Sequence, residues 1–315
     1  MYDLVIIGAA AAGPAAAIYA IRRGLNVIIV SKDTGGEVAL SGEVENWPSV
    51  IHTTGVELAK QFTDHIKHYN VPLDEGYEVT SISQEGNYHS VHAKDYAGKE
   101  KIYQTKAVIV ASGIHPRELN AIHEKELKGR GITYCTVCDG PLFKGKVTAT
   151  IGAGNSAVES ALMMGGIAQK VYVLTKYGPD ENNNGFPKAE NILVKKMMAT
   201  PTIEVVHYAN TTEMVGDTKL TGIKYTDSKT GEEKELAVDG AMVHIGVIPN
   251  SDFIDCAQKD EGKQIKVDRL CNTSCKGIFA AGDVTDIPYK QISIAVGMGA
   301  TAALSAIDYI NHFEE

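Results

Sequence analysis

The sequence predicts an α/β protein made of two Rossmann-like, three-layer ββα dinucleotide-binding domains, the second inserted into the first. Three observations lead there. A strand, a glycine turn, a helix and a second strand follow one another twice in the chain. Each copy is followed by hairpin-like strand runs. After the second copy the chain returns to a short apolar strand and an Ala/Gly-rich helix.

The first copy reads Leu4-Val-Ile-Ile7, then Gly8-Ala9-Ala10-Ala11-Ala12-Gly13, a helix to about Arg23 and a strand Val27-Ile-Ile-Val30. The second reads Val147 to Ile151, then Gly152-Ala153-Gly154-Asn155-Ser156-Ala157, a helix to about Met164 and a strand Val171-Tyr-Val-Leu174. In this pattern glycines permit the tight turn, and the helix N-terminus offers free N–H groups and partial positive charge to a pyrophosphate. One such motif is weak; two at matched internal spacing are strong. Ala10 stands where the middle glycine of the first copy is expected, and Ala157 is an accepted ending of the second. An acid after the second strand ordinarily grips the adenosine ribose. Both copies place a hydroxyl and a lysine there instead, Ser31-Lys32 and Thr175-Lys176, and Tyr177 follows where an arginine pair would serve a 2′-phosphate.

The remaining elements follow in order. Gly35-Gly36-Glu37-Val38 and Glu45-Asn46-Trp47-Pro48 precede an amphipathic helix over 56–68 and hairpin strands over 78–103. Lys106-Ala-Val-Ile-Val-Ala111-Ser112-Gly113 reads as a buried strand ending in a small-residue turn, and His115-Pro116 as a crossing between domains. Beyond the second copy come a polar surface loop over 179–185, a helix over 189–198 and further hairpin strands. Val243-His-Ile-Gly246-Val-Ile-Pro249-Asn250 forms the second crossing, then Gly277-Ile-Phe-Ala-Ala-Gly282-Asp283 leads into a helix over 291–309. The expected domains are therefore 1–114 with 246–315, interrupted by 115–245. Two crossings make a two-strand hinge.

Composition bounds the function. A chain of 315 residues with net charge −9 is large enough for two cores and is a poor partner for nucleic acid. The apolar run from Leu4 to Ile21 has no basic residue before it and is interrupted by Gly8, Gly13 and Pro14, so a strand, turn and helix explain it better than a leader or membrane anchor. The default expectation is a cytoplasmic protein with no membrane partner. Five cysteines do not make a secreted disulfide scaffold.

Cys135-Thr136-Val137-Cys138-Asp139 carries the chemistry. Two thiols at this spacing can close into a disulfide and reopen, and the adjacent acid can move the proton that exchange requires. The motif lies just ahead of the second nucleotide turn, which suggests electrons passing from a cofactor to a disulfide. A zinc half-site would need two further ligands, for which Cys271 and Cys275 are the candidates, at a distance in sequence unusual for zinc ribbons. No metal is expected. Cys256, Cys271 and Cys275 read as packing residues, with an accessory Cys271–Cys275 bond as the lesser alternative.

These residues together resemble the low-molecular-weight thioredoxin reductase family over essentially the whole chain. Gly8 to Gly13, Gly35-Gly36, Glu45 to Pro48, Ala111 to Gly113, Cys135 to Gly140, Gly152 to Ala157, Gly246 with Pro249-Asn250, Gly282-Asp283 and Pro288 to Ile292 carry the likeness. The resemblance implies FAD held by Gly8, Ala10, Gly13, Ser31, Gly36, Asn46, Ala111, Gly113, Gly282, Asp283, Gln291 and Ile292. It implies NAD(P)H at Gly152, Gly154, Asn155, Ser156, Thr175, Lys176 and Gly246. Cys138 would receive the electrons, Cys135 would attack the partner disulfide, and Asp139 would act as acid–base group. The implied partner is a thioredoxin- or glutaredoxin-like protein and the implied assembly a homodimer. Thr175-Lys176-Tyr177 departs from the family's NADPH signature. Pro141 to Lys146 and the Pro-Tyr-Lys-Gln segment also resemble the NADH-using flavoprotein subunit of alkyl hydroperoxide reductase. NADH or reduced ferredoxin is thus an alternative donor. A dithiol oxidase, which tends to carry His where Asp139 stands, and a non-enzymatic flavin-binding redox sensor are the other readings.

Overall fold

The structure, a computed structural model, describes residues 1–41 and 43–314, with the side chains of Glu43 and Cys138 outside the described residues. It divides into two units, Met1–His115 with Ile248–Glu315, and Pro116–Val247.

The first unit is organised by the strand Tyr2–Ala9, parallel on one side to Val27–Thr34 and on the other to the long strand Glu100–Val110. That long strand joins two sequence segments expected to be separate. Its first half pairs antiparallel with Tyr88–Asp95, and its second half runs parallel to Tyr2–Ala9 and to Ile278–Ala280. One face of the sheet packs Leu4, Ile6, Val27, Ile29, Ala107 and Ile109 against helices. The alternate residues Val5, Ile7, Ile28, Val30, Val108 and Val110 fill the other face, as strand periodicity requires. The longer helices are Ala12–Ile21, Gly55–His68 and Ile292–Asn311, with a four-residue helix Gly36–Ala39 beside them. Gly55–His68 opens on a capping box, with Thr54 and Glu57 satisfying each other's backbone N–H groups. Ile292–Asn311 is long and apolar enough to span a membrane by composition, but its small face is core: a methyl on Gly299 would lie 2.2 Å from the Ala12 carbonyl oxygen.

The second unit has a parallel five-stranded sheet in the order Ile132–Thr133, Gly240–Val243, Val147–Ile151, Lys170–Leu174, Ile203–Val206. Helices Asn155–Gly165 and Asn191–Met198 cover one face over Val158, Met164, Val171 and Met197. A three-stranded antiparallel sheet, Ala209–Gly216, Leu220–Asp227 and Glu233–Ala237, covers the other over Ile151, Met214 and Ile223. This is the ββα layering predicted. The segments Ile114–Pro116 and Val247–Pro249 pair as a two-stranded ribbon.

Three expectations change. The second strand of the first copy runs to Thr34 rather than Val30, so Asp33 lies at its end. Residues 179–185 are largely exposed, as a surface loop would be, but are braced into a turn: Glu181 accepts from the Gly178 N–H at 2.7 Å, and Asn183 Nδ2 donates to the Phe186 and Ala189 carbonyls. The cysteines outside the CxxC also pair differently. Cys256 and Cys275 form a disulfide with Cα atoms 5.9 Å apart, while Cys271 is a buried free thiol against the Met298 carbonyl. Cys256 and Cys275 are therefore not merely packing residues, and no Cys271–Cys275 pair remains for an accessory bond or a metal. Sequence spacing concealed this because residues 258–272 fold back between them, with Ile265 bridged to Lys259 and Thr285.

Candidate redox and nucleotide sites

The motif forms a one-turn helix, Thr136–Asp139, that Cys135 directly precedes, just after the edge strand Ile132–Thr133. Thr133 is the organiser. Its buried hydroxyl donates to Asp139 Oδ2 at 2.5 Å and accepts from the Cys135 N–H at 3.0 Å. The Asp139 N–H in turn donates to the Cys135 carbonyl at 3.1 Å. One side chain thus fixes both the first cysteine and the acid of the motif. Cys135 is half-buried and disulfide-bonded. The Cys138 side chain, expected to receive electrons, lies outside the described residues. Thr133 is not among the residues the sequence points to, although a hydroxyl two residues before a cysteine that starts a turn is the spacing of a side-chain-to-backbone turn.

Thr136, between the cysteines, faces inward. Its Oγ1 lies 2.6 Å from Ser160 Oγ and 2.7 Å from His244 Nε2. Burial pushes the His244 imidazole down to about 4, so it is neutral at ordinary pH. Nearby, Tyr134 donates to the buried carboxylate of Glu124, which also accepts from the Leu119 and Ala121 N–H groups; burial and that carboxylate raise the Tyr134 hydroxyl.

Both glycine turns can accept a pyrophosphate. The helices Ala12–Ile21 and Asn155–Gly165 have no side-chain cap, so no capping side chain occupies their first N–H groups. A methyl on Gly13 would lie 1.9 Å from the Gly8 carbonyl oxygen, whereas over Gly154 the nearest atom is 3.9 Å away, leaving room at the turn. Ala10 places its methyl toward Gly36. Asn155 is held by Glu190 through both its amide groups, and Ser156 is exposed at the helix start. Gly246 has φ +111 with open space around it.

The hydroxyls after the second strands are turned inward. Ser31 Oγ accepts from the Ala9 N–H and donates to the Asp33 carbonyl. Thr175, only 1% exposed, donates to the Gly185 carbonyl at 2.7 Å. Both act as braces, and the lysines that follow them, Lys32 and Lys176, are exposed, the Lys176 ammonium lying 5.3 Å from the Tyr177 ring. The first turn has acids that the strand boundary hid. Burial, Asp283 and Asp33 raise the Glu37 carboxyl, and burial raises Asp283 against the partial counter-charge of Lys290. Asn46 Nδ2 donates to Gln291 Oε1 at 3.1 Å, next to Ile292 at the start of the last helix. Ala111 is buried, its carbonyl against Gly8, and Gly113 takes φ +66. Gly282, φ +78, lies close to Ala12.

Known proteins supply the family. Residues 2–299 match the family described as pyridine nucleotide-disulphide oxidoreductase. The chain is 40% identical over 314 residues to the F subunit of alkyl hydroperoxide reductase from Pseudomonas putida, covering 98% of this chain and 58% of that protein; it therefore spans little more than half the length of such relatives. Thioredoxin reductase of Lactococcus lactis superposes with TM-score 0.84 at 32% identity, covering 99% of this chain and 100% of that one. Thioredoxin reductase of T. acidophilum does so with TM-score 0.81 at 38% identity and 98% coverage of both. With nearly the whole chain matched by that family's model, the chain belongs to the pyridine nucleotide-disulphide oxidoreductase family.

Proposed function

We propose that this chain reduces a protein disulfide, carrying electrons from a nicotinamide nucleotide through FAD to Cys135 and Cys138, and on to a thioredoxin- or glutaredoxin-like partner. The observation that carries this reading is the Thr133 clamp, which holds a half-buried, disulfide-bonded Cys135 and the Asp139 carboxylate on one turn. FAD is assigned to the unit containing Gly8, Asp283 and Gln291, and the nucleotide to the unit containing Gly152. Bound flavin supplies the two-electron relay between a hydride donor and a disulfide.

The protein's own residues do the rest. Two electrons and two protons open the Cys135–Cys138 bond, with Asp139 placed to move one proton. The Cys135 thiolate attacks the partner disulfide and releases one partner thiol. The Cys138 thiolate then attacks the mixed disulfide, reforming Cys135–Cys138 and releasing the second. Net, the partner's S–S bond becomes two thiols. Cys138→Ser should abolish partner reduction while flavin stays bound; a mutant that reduces its partner at the normal rate sinks the assignment.

NADH is the favoured donor. Thr175 is committed to bracing its loop, and Lys176 meets a 2′-phosphate only as a point charge without the fork of arginine. Anaerobic titration with NADH and then NADPH, read at the flavin absorbance, tests this. Faster bleaching by NADH supports it, faster bleaching by NADPH overturns it, and no bleaching by either points to a ferredoxin-type donor.

A further inference from the structure

We infer that His244 and Ser160 are positioning residues which, through the Thr136 hydroxyl, couple the nucleotide turn of the second unit to the redox state of the Cys135–Cys138 pair. The inference rests on the reading of that pair as the redox centre. Each residue is anchored in a different part of the nucleotide-binding βα unit. Ser160 is on the helix Asn155–Gly165, whose uncapped start faces the turn. His244 directly follows the strand Gly240–Val243; its N–H donates to the Ile151 carbonyl at 2.8 Å, and its own carbonyl oxygen lies 2.0 Å from where a Gly152 Cβ would stand. Thr136 sits between Cys135 and Val137 on the redox helix. The backbone of His244 therefore touches the turn while its side chain touches the CxxC.

The contact is stiff. Thr136 and Ser160 are 4% and 5% exposed, and their oxygens and the imidazole nitrogen form a short chain at 2.6 and 2.7 Å. A neutral imidazole completes the chain in either direction, by accepting from Thr136 or by donating to it, with Ser160 at the other end. A displacement of the Thr136 turn when the cysteines change state must move His244 and Ser160 or leave a buried hydroxyl unpaired. The same holds in reverse when a pyrophosphate draws the helix start and the turn together. Coupling of this kind is reciprocal: if nucleotide shifts the dithiol equilibrium, the dithiol state shifts nucleotide affinity by the same factor.

The test measures affinity rather than turnover. ADP-ribose carries the pyrophosphate and has no hydride-accepting ring; its binding to this 315-residue chain loaded with flavin is followed by calorimetry, with the protein oxidised and after dithiothreitol reduction. The expected result is a ratio of the two affinities of about fivefold or more. Thr136→Val and His244→Ala bring the ratio to near one, while Thr136→Ser and His244→Gln, which keep a hydrogen-bonding atom in place, restore it. The Cys256–Cys275 bond changes state alike in every variant and cancels from the comparison. A wild-type ratio of one, no binding of ADP-ribose, or a Thr136→Val protein with the wild-type ratio overturns the coupling. Alkylation and mass spectrometry separate this from failure of the proposed function. If Cys135 and Cys138 do not become alkylatable when donor is added, the functional reading falls; if they do and the ratios are unchanged, only the coupling falls.

Discussion

In the first unit a methyl on Gly8 would lie 2.3 Å from the carbonyl oxygen of Ala111; in the second, a methyl on Gly152 would lie 2.0 Å from that of His244. Both glycines have positive φ, +107 and +147. The same backbone device is closed by the neighbouring strand in each case. What differs is the residue that closes it. Ala111 has only a methyl, and the next residue, Ser112, donates to the Asn250 carbonyl beside the crossing. His244 carries an imidazole that reaches the redox helix. The first turn is surrounded by carboxyls that burial holds toward the neutral form, Glu37 and Asp283, and the second by a neutral hydroxyl–imidazole chain. A repeated motif thus fixes where a phosphate can sit and leaves the neighbouring side chains free to take different tasks.

The comparison is broken most severely at the glycines. Gly8→Ala and Gly152→Ala each drive a methyl into a backbone carbonyl and impose a conformation L residues rarely adopt, a loss of about 3 kcal/mol or more. Each variant should show a lowered denaturation midpoint, with Gly8→Ala losing flavin and Gly152→Ala keeping it. Gly154→Ala, with nothing closer than 3.9 Å, is the control: its stability should be near wild type, and only nucleotide affinity should fall.

The next largest effect separates the units by their crosslinks. Cys256–Cys275 closes a loop of the first unit with a sequence separation of 19. Chain-entropy reasoning gives such a closure about 3 kcal/mol. Cys256→Ser should therefore lower the thermal midpoint by several degrees, and mild reductant should lower wild type to the same value. An unchanged midpoint in both would show that residues 258–272 are held by their packing alone.

Acid sharpens the contrast further. The folded His244 imidazole, near 4, sits below its ordinary value of 6.5, so the unfolded chain binds the extra proton first. This contribution to stability is intact above about pH 6.5 and is lost as pH falls toward 4. His244→Gln should remove it, flattening the acid limb of the stability–pH curve by about 3 kcal/mol. His89 in the first unit is lowered by burial in the same direction, so some slope should survive.

What could be read from sequence followed physical period and turn chemistry. The strands of 4–7 and 147–151 and the helix of 56–68 were legible because burial imposes their apolar patterns. The doubled turn was legible because glycine is the residue a positive φ requires. Thr133, Thr136, Ser160 and His244 were not, because each is an ordinary polar residue until the fold brings positions 136, 160 and 244 within hydrogen-bond reach. Asp33 was missed for a smaller reason: the strand continues four residues beyond its last apolar one. The Cys256–Cys275 pair was missed because nothing in the spacing distinguishes it from Cys271–Cys275.

The smallest effect expected is at the ribose end, where the two units differ least in sequence. Ser31 and Thr175 have spent their hydroxyls on internal braces, so the lysines that follow are what remains to meet a ribose phosphate. Lys32 pairs with Glu78 at 3.1 Å, whereas Lys176 is exposed beside an aromatic ring. A single exposed ammonium without a fork gives a 2′-phosphate under about 1 kcal/mol. ADP-ribose and its 2′-phosphate should therefore bind the wild-type protein within about fivefold of each other. Lys176→Ala should weaken only the phosphorylated ligand, and more so at low salt. A difference of a hundredfold in wild type would require a second cation at the site, and equal loss of both ligands would place Lys176 at the pyrophosphate instead.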